Sequence, residues 1–510
     1  MNLTKKLFSY IVAIAMIFTL TAFAGGAVNA AETTYKLTLT RTTTGHTYEA
    51  YQIFTGDLST NPDKTKVLSN VKWGTGVTYT GTESVADVAK ALGKNEMTID
   101  QLLKKLTLTT PVQTVDSSKD TTVINGLVAG YYLVKDKDGS QKDTQDAYTK
   151  YIVKVVGPTE VKVKSDVPTV EKKVKDTNDS TGYTSDWQDS ADADINDDVE
   201  YQITGTMPDN IADYTTYKYI FTDTMSKGLT YTAKNATIKI GDTDVTESFN
   251  EVVTKNTDGT TTVTWTCNNL KNKEDNKLKD ITLTKDSTVV VTYFAKLNEN
   301  AVIGSAGNDN KVNLTYSNNP NNGGDGETGK TPDDKNIVFT YKAVVNKVDQ
   351  DKKSLAGAGF TLQKKVKREN GKTEYIEVGK INANGEKSTF EFTGLDDGEY
   401  KLIESTTPEG YNTIAPIEFT ISATHDETKD DPQLLTLSGN VVTGEATTSE
   451  ATFTENKTEG SLTTNVVNKK GSTLPETGGM GTTLLYAVGG VLVALAAAYI
   501  IISKKHEKAE

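Results

Sequence analysis

The sequence predicts an all-β protein of three sandwich domains in a row, on three observations. Alternation of apolar and polar residues recurs along the body, as in Tyr35-Lys36-Leu37-Thr38-Leu39 and Val199-Glu200-Tyr201-Gln202-Ile203, which is the period of half-buried strands. Turn dipeptides such as Asp258-Gly259, Asn370-Gly371, Asn384-Gly385 and Asp397-Gly398 punctuate these runs, the chemistry of tight connections between strands. Long helical patterns are scarce, and the part between the two termini is long enough for about three domains.

Taken in order, Lys5 and Lys6 precede an apolar stretch from Leu7 to about Phe23, and Val28-Asn29-Ala30 ends it. That pattern reads as a secretory signal peptide, 1–30, cut after Ala30, with Ala24 as the runner-up. A first β domain is expected over 31–166. Within it Val85, Val88, Ala89 and Leu92, then Ile99, Leu102, Leu103 and Leu106, have helical spacing interrupted at Gly93, so two short helices should decorate this domain. A boundary is expected near Ser165-Asp166-Val167-Pro168, a second domain over 167–325, a polar linker over Ser317–Asn336, and a third domain over 336–470. Phe390–Phe392 and Tyr400–Ile403 are expected to form a hairpin through Asp397-Gly398. At the far end stand Leu474-Pro475-Glu476-Thr477-Gly478, an apolar run from Leu484 to Ile502, and Lys504-Lys505. The run has the length of a membrane-spanning helix, and the lysines set its end in the cytoplasm.

The net charge of −13 argues against nucleic-acid binding. One cysteine, Cys267, allows no internal disulfide and reads as a packed or surface thiol. Three histidines, His46, His425 and His506, argue against a histidine-based catalytic or metal centre. Asp192-Ala193-Asp194-Ile195-Asn196-Asp197-Asp198 imitates the start of a calcium loop. Asp197 stands where glycine is needed and Ile203 where glutamate is needed, so the run is read as a cap on the following strand. Gly323-Gly324-Asp325-Gly326 lacks the lysine and helix of a phosphate loop. No cofactor and no metal is expected.

Several blocks resemble a known family. Leu474-Pro475-Glu476-Thr477-Gly478, followed by an apolar helix and basic tail, resembles the LPxTG sorting signal that sortases cut between Thr477 and Gly478. Val345-Asn346-Lys347-Val348-Asp349, Leu355-Ala356-Gly357-Ala358-Gly359-Phe360 and Val466-Val467-Asn468-Lys469-Lys470 are similar to a Cna-B-type domain. Between them, Tyr400-Lys401-Leu402-Ile403-Glu404-Ser405-Thr406-Thr407-Pro408-Glu409-Gly410-Tyr411 resembles the pilin E-box, with Ser405 and Thr407 departing from its pattern. Phe221-Thr222-Asp223-Thr224-Met225 and Asn308-Asp309-Asn310-Lys311-Val312 resemble blocks of a Cna-A-like domain. As a whole the chain resembles a sortase-assembled major pilin of Gram-positive bacteria.

That resemblance implies three immunoglobulin-like sandwiches, two of them closed by intramolecular Lys–Asn isopeptide bonds. In the third domain it assigns Lys347 as amine, Asn468 as amide and Glu404 as acid. In the second it assigns Lys172, Asn310 and Asp223; strand parity turns Lys172 inward and Lys173 outward, and leaves Asn313 as an outward-facing alternative amide. A lysine attacks only when neutral, and burial lowers its pKa while raising that of a carboxylic acid. Gly130-Tyr131-Tyr132-Leu133-Val134 resembles an E-box loosely, but Lys135 stands where an acid belongs, so no bond is assigned to the first domain.

The family joins Thr477 to a lysine of the next subunit near the end of its first domain, within Tyr-Pro-Lys. This chain has Val161-Lys162-Val163-Lys164 there instead; Lys164 is the first candidate and Lys162 the alternative. The implied function is a wall-anchored pilus shaft subunit at the cell surface, not an enzyme acting on outside substrates. Its implied partners are identical subunits, a pilin-specific sortase, minor pilins, and peptidoglycan at the base. The rival readings are a singly anchored adhesin binding host matrix, a minor or basal pilin, and an exported enzyme.

Overall fold

A computed structural model describes residues 33–471, except 62–63, 95, 143, 164–166 and 443–451. The signal peptide, the Leu474–Gly478 signal, the apolar run 484–502 and Lys164 lie outside the described residues. Among those described, no helix is long and apolar enough to cross a membrane.

In the first domain Tyr35–Thr42 is the centre of a three-stranded sheet, between Thr159–Lys162 and Asp120–Leu127. It faces a sheet in which Thr47–Thr60 pairs with Lys66–Trp73, Gly130–Asp136 and Gln113–Asp116. Leu37, Leu39, Ile124, Tyr132 and Val153 fill the space between them. The two helices form at Val85–Gly93 and Ile99–Leu103. Ser84 accepts a hydrogen bond from the Asp87 amide and so caps the first. Leu106 belongs to a short strand, Leu106–Leu108, and not to the second helix.

The second domain is two sheets around an aromatic core of Tyr201, Phe221, Trp265 and Tyr293. One sheet orders Val170–Val174, Asp198–Thr206 and Thr288–Leu297; the other orders Ser190–Asp192, Asp334–Phe339, Asn308–Ser317, Tyr219–Met225 and Thr261–Cys267. Here the expected linker is corrected. Ser317–Asn336 closes on itself with the strand Thr328–Lys330 and leads into Asp334–Phe339, which pairs with Asn308–Ser317 in the heart of this sheet. Its Asn and Gly content serves turns and side-chain bonds: Gly323 has φ +68° at a 3₁₀ end, and Asn318 donates to the carbonyls of Gln141 and Asp146 in the first domain. Only Thr340 separates the last strand of the second domain from Tyr341–Asp349, the first strand of the third.

The third domain packs a four-stranded sheet (Thr389–Leu395, Tyr341–Asp349, Ser461–Asn468, Phe453–Asn456) on a five-stranded one (Thr373–Ile381, Gly359–Lys367, Gly398–Thr406, Ile417–His425, Leu434–Val441). Tyr341–Asp349 and Ser461–Asn468 are adjacent and parallel. The expected hairpin through Asp397-Gly398 is not one: Thr389–Leu395 and Gly398–Thr406 lie in opposite sheets. Phe390 and Phe392 face Tyr400 and Leu402 across the core, and Asp396-Asp397 carries the chain from one layer to the other.

Candidate functional site

Lys347 stands on the first strand of the third domain and Asn468 at the end of the last. Parallel pairing sets Lys347 opposite Val466 and Asp349 opposite Asn468, so the two side chains lean to one spot inside the sandwich. Both are completely buried and Glu404 nearly so. The Lys347 Nζ donates to the Asn468 Oδ1 and to the Val466 carbonyl at 3.3 Å. Glu404 Oε1 lies 3.3 Å from that nitrogen and accepts from Asn468 Nδ2 at 2.9 Å. Its other oxygen accepts from Thr407 Oγ1 and the Ile414 amide. Thr407, a departure from the E-box pattern, thus orients the acid. Burial pulls the Lys347 pKa down, and the adjacent Glu404 offsets only part of that.

The second domain brings Lys172, Asp223 and Asn310 together through a residue the sequence reading did not single out. All three are completely buried. Lys172 Nζ lies 2.7 Å from Asp223 Oδ1 and donates to the Tyr293 hydroxyl at 2.6 Å. That hydroxyl accepts from Asn310 Nδ2 at 2.8 Å and donates to Asp223 Oδ2. The Asn310 Oδ1 has no partner. Lys172 belongs to one sheet; Asp223 and Asn310 belong to the other. Burial lowers the Lys172 pKa against the pull of Asp223. Asn313 points elsewhere and donates to Asp333. Tyr293 sits at an inward position of Val289, Val291, Tyr293, Ala295 and Leu297, so parity marked it as core but nothing marked its hydroxyl. Asn336, directly opposite Asn310 in register, donates to the Lys172 carbonyl and was also missed.

A third buried lysine was not anticipated. Lys364 Nζ lies 3.0 Å from Asp396 Oδ2, 3.4 Å from Asp179 and 2.5 Å from Asp194, the last two reaching across from the second domain. Burial alone would lower its pKa, but the three carboxylates overcome this and hold it well above the usual lysine range.

In the first domain Lys162 is exposed at the end of its strand. Lys135 bonds Asp138 at 2.6 Å. His46, buried, bonds Asp136 at 2.8 Å, and Asp136 also accepts from the Thr149 amide and hydroxyl. Cys267 is buried, and burial pushes its thiol up to about 11, which makes it a poor nucleophile.

Three segments match known families. Residues 195–320 match the Gram-positive pilin backbone subunit 2, Cna-B-like domain. Residues 342–432 match a prealbumin-like fold domain, and residues 466–509 match the LPXTG cell wall anchor motif. The trypsin-resistant surface T6 protein of Streptococcus pyogenes serotype M6 is 28% identical over 273 residues, spanning 50% of this chain and 46% of that relative. Among solved structures, the T6 backbone pilin of the same serotype superposes with TM-score 0.51 at 20% identity, over 87% of this chain and all of the other. Its fold is described as a modular three-domain structure.

Proposed function

We propose that this chain, a relative of Gram-positive backbone pilins with an LPXTG cell wall anchor, is the shaft subunit of a covalently polymerised surface pilus, stiffened by two self-formed isopeptide bonds. The observation that carries the bonds is the contact of one acid oxygen, Glu404 Oε1, with both the Lys347 amine and the Asn468 amide nitrogen. In the reaction Lys347 Nζ attacks Asn468 Cγ, the Cγ–Nδ2 bond breaks, and ammonia leaves. Glu404 relays both protons that Nζ gives up to the departing nitrogen, so the ammonia departs protonated, as ammonium, and the acid is unchanged at the end. With the lysine still charged, the amide oxygen faces Nζ. Once the proton has moved to Glu404, a half-turn of the amide sets its oxygen on the new carboxylic acid, which polarises the carbonyl. In the second domain Tyr293 stands where Glu404 Oε1 stands in the third, touching amine and amide, while Asp223 holds its hydroxyl.

A bond between Lys347 and Asn468 closes a segment of 121 residues and joins the first strand to the last. Force along the fibre then runs through covalent bonds and not through the hydrogen bonds of the sandwich. Sortase cleavage after Thr477 would supply the acyl group that a lysine of the neighbouring subunit accepts, Lys164 or the exposed Lys162.

Two measurements test this. The intact mass of the exported chain should fall short by two ammonias; a full calculated mass overturns the bonds. Wall extracts should show a high-mass ladder that collapses on Lys164→Ala. A single band in the wild type would overturn the polymer and leave a singly anchored surface protein.

A further inference from the structure

The centre of the second domain differs from that of the third in what its acid can reach. Glu404 touches both the amine and the amide. Asp223 spends its oxygens before the amide: Oδ1 faces the Lys172 amine and Oδ2 accepts from Tyr293. Tyr293 in turn accepts from Asn310 Nδ2, the nitrogen that must leave. The other end of the amide, Asn310 Oδ1, is buried without a partner. Negative charge gathers on that oxygen when Nζ adds to Cγ, and a buried oxyanion needs a donor.

Tyr201 stands beside it. Its strand, Asp198–Thr206, sets it opposite Val174 on one side and Tyr293 on the other, and the period of two turns it inward with Val199 and Ile203. The residue is completely buried. Its ring stacks on Tyr293, with centroids 5.3 Å apart and planes 11° apart. Lys172 Nζ lies 5.1 Å from the centroid of each ring. The Tyr201 hydroxyl meets the Asn310 side-chain amide. That contact is loose, because neither the hydroxyl nor Asn310 Oδ1 makes a well-formed hydrogen bond in the unreacted chain. Catalytic hydrogen bonds are often long before reaction and tighten as charge develops. Burial and the nearby Asp223 hold the Tyr201 pKa well above the usual phenol range, so the hydroxyl keeps its proton and can only donate a hydrogen bond.

We propose that the Tyr201 hydroxyl is the oxyanion donor of the second domain, closing on Asn310 Oδ1 as Lys172 Nζ attacks. This rests on the Lys172–Asn310 bond proposed above. Addition forms the Nζ–Cγ bond and moves the carbonyl π pair onto Oδ1, where Tyr201 donates a hydrogen bond and no proton. As that pair returns, the Cγ–Nδ2 bond breaks. Both protons that Nζ gives up pass by way of Asp223 and Tyr293 to Nδ2, which leaves as ammonium. The two stacked phenols divide the work: Tyr293 serves the departing nitrogen and Tyr201 the oxygen.

The test follows newly synthesised exported chain, quenched in acid at intervals, by intact mass and by mapping of the cross-linked peptides. Tyr201→Phe keeps the ring and should slow the Lys172–Asn310 bond by about 100-fold or more. The Lys347–Asn468 bond of the same chain should form at the wild-type rate. Tyr217→Phe removes another unpartnered hydroxyl of the same core, among Tyr214, Tyr219 and Tyr316, and should change neither rate. A Lys172–Asn310 bond formed at wild-type speed in Tyr201→Phe, or equal slowing in Tyr217→Phe, overturns the oxyanion role alone. A wild type that never joins Lys172 to Asn310 overturns the bond itself and this role with it. Cys267, buried in that core, reports folding of the second domain by staying closed to a thiol reagent. Should Tyr201→Phe open it, replacement of Tyr201 by 3-fluorotyrosine decides. That stronger donor should quicken the Lys172–Asn310 bond alone, and an unchanged rate counts against the role.

Discussion

Lys347 and Lys364 belong to the same domain and are equally buried, yet their surroundings send them in opposite directions. Lys347 meets one carboxylate and one primary amide, and its pKa falls. Lys364 meets three carboxylates, and its pKa rises. Burial alone therefore does not make a nucleophile. Desolvation destabilises the ammonium in both places, and the count of facing acids decides whether the proton stays. Lys364 is also unsuited by partner, because an ionised carboxylate is a poor acyl donor and a neutral amide a better one.

The sharpest way to break this contrast is to remove each lysine. Lys347→Ala should restore one ammonia to the intact mass. In the loop-closure account it should also cost about 5 kcal/mol of stability in the third domain, with a larger effect on the unfolding rate. Lys364→Met should leave the mass deficit at two ammonias. It should still destabilise the chain by roughly 3–5 kcal/mol, because it strands Asp396 and Asp194 as buried unpaired charges. Denaturant unfolding together with mass spectrometry separates the two outcomes. Loss of a water in addition to two ammonias from the wild type would show that Lys364 has reacted with an aspartate and would end the distinction.

Which lysines are buried beside an acid and an amide was partly legible in the sequence. Strand parity turned Lys172 inward, and the E-box put Glu404 in reach of an inward lysine. Both are statements about one strand at a time, and the period of two carries them. Lys364 was not legible, because two of its acids come from another domain, and docking has no signature in local periodicity. Ser317–Asn336 was misread for a related reason. Its Asn318 satisfies two backbone carbonyls of the first domain and its Asn336 two of the second, and a polar stretch used that way has the composition of a linker. Thr389–Leu395 and Gly398–Thr406 alternate as hairpin strands would, and alternation does not say which sheet a strand joins.

The first domain extends the charged class. Burial would lower the His46 pKa, but its bonds to Asp136 and Asp146 prevail and raise it to about 9. A pKa raised on folding contributes stability in full below the unfolded value near 6.5. The contribution is lost as pH climbs through about 9, for a total on the order of 3 kcal/mol. The stability difference between wild type and His46→Gln should therefore be largest at acidic pH and vanish above pH 9. A difference that grows with pH would mean the ring is neutral when folded, and the first domain would leave the class that Lys364 defines.

The smallest effect concerns the second domain, where a phenol intervenes between acid and amide. Tyr293 gives Lys172, Asp223 and Asn310 a common partner. Tyr293→Phe keeps the ring, its stacking on Tyr201 and the buried volume, and removes only the hydroxyl. The hydroxyl's bonds to Lys172, Asp223 and Asn310 go with it, but the ion pair itself stays in contact, so the loss in stability should be about 2 kcal/mol. The consequence for chemistry should exceed that for folding. Without the hydroxyl, Asp223 still holds the amine, but nothing polar connects it to the Asn310 nitrogen, so the second domain should form its bond slowly while the third is unaffected. Time-resolved intact mass after refolding reads both: one ammonia lost at the wild-type rate and one late. Two losses at wild-type rates would show that Asp223 reaches the amide directly, making the second site a copy of the third and not a relay through tyrosine.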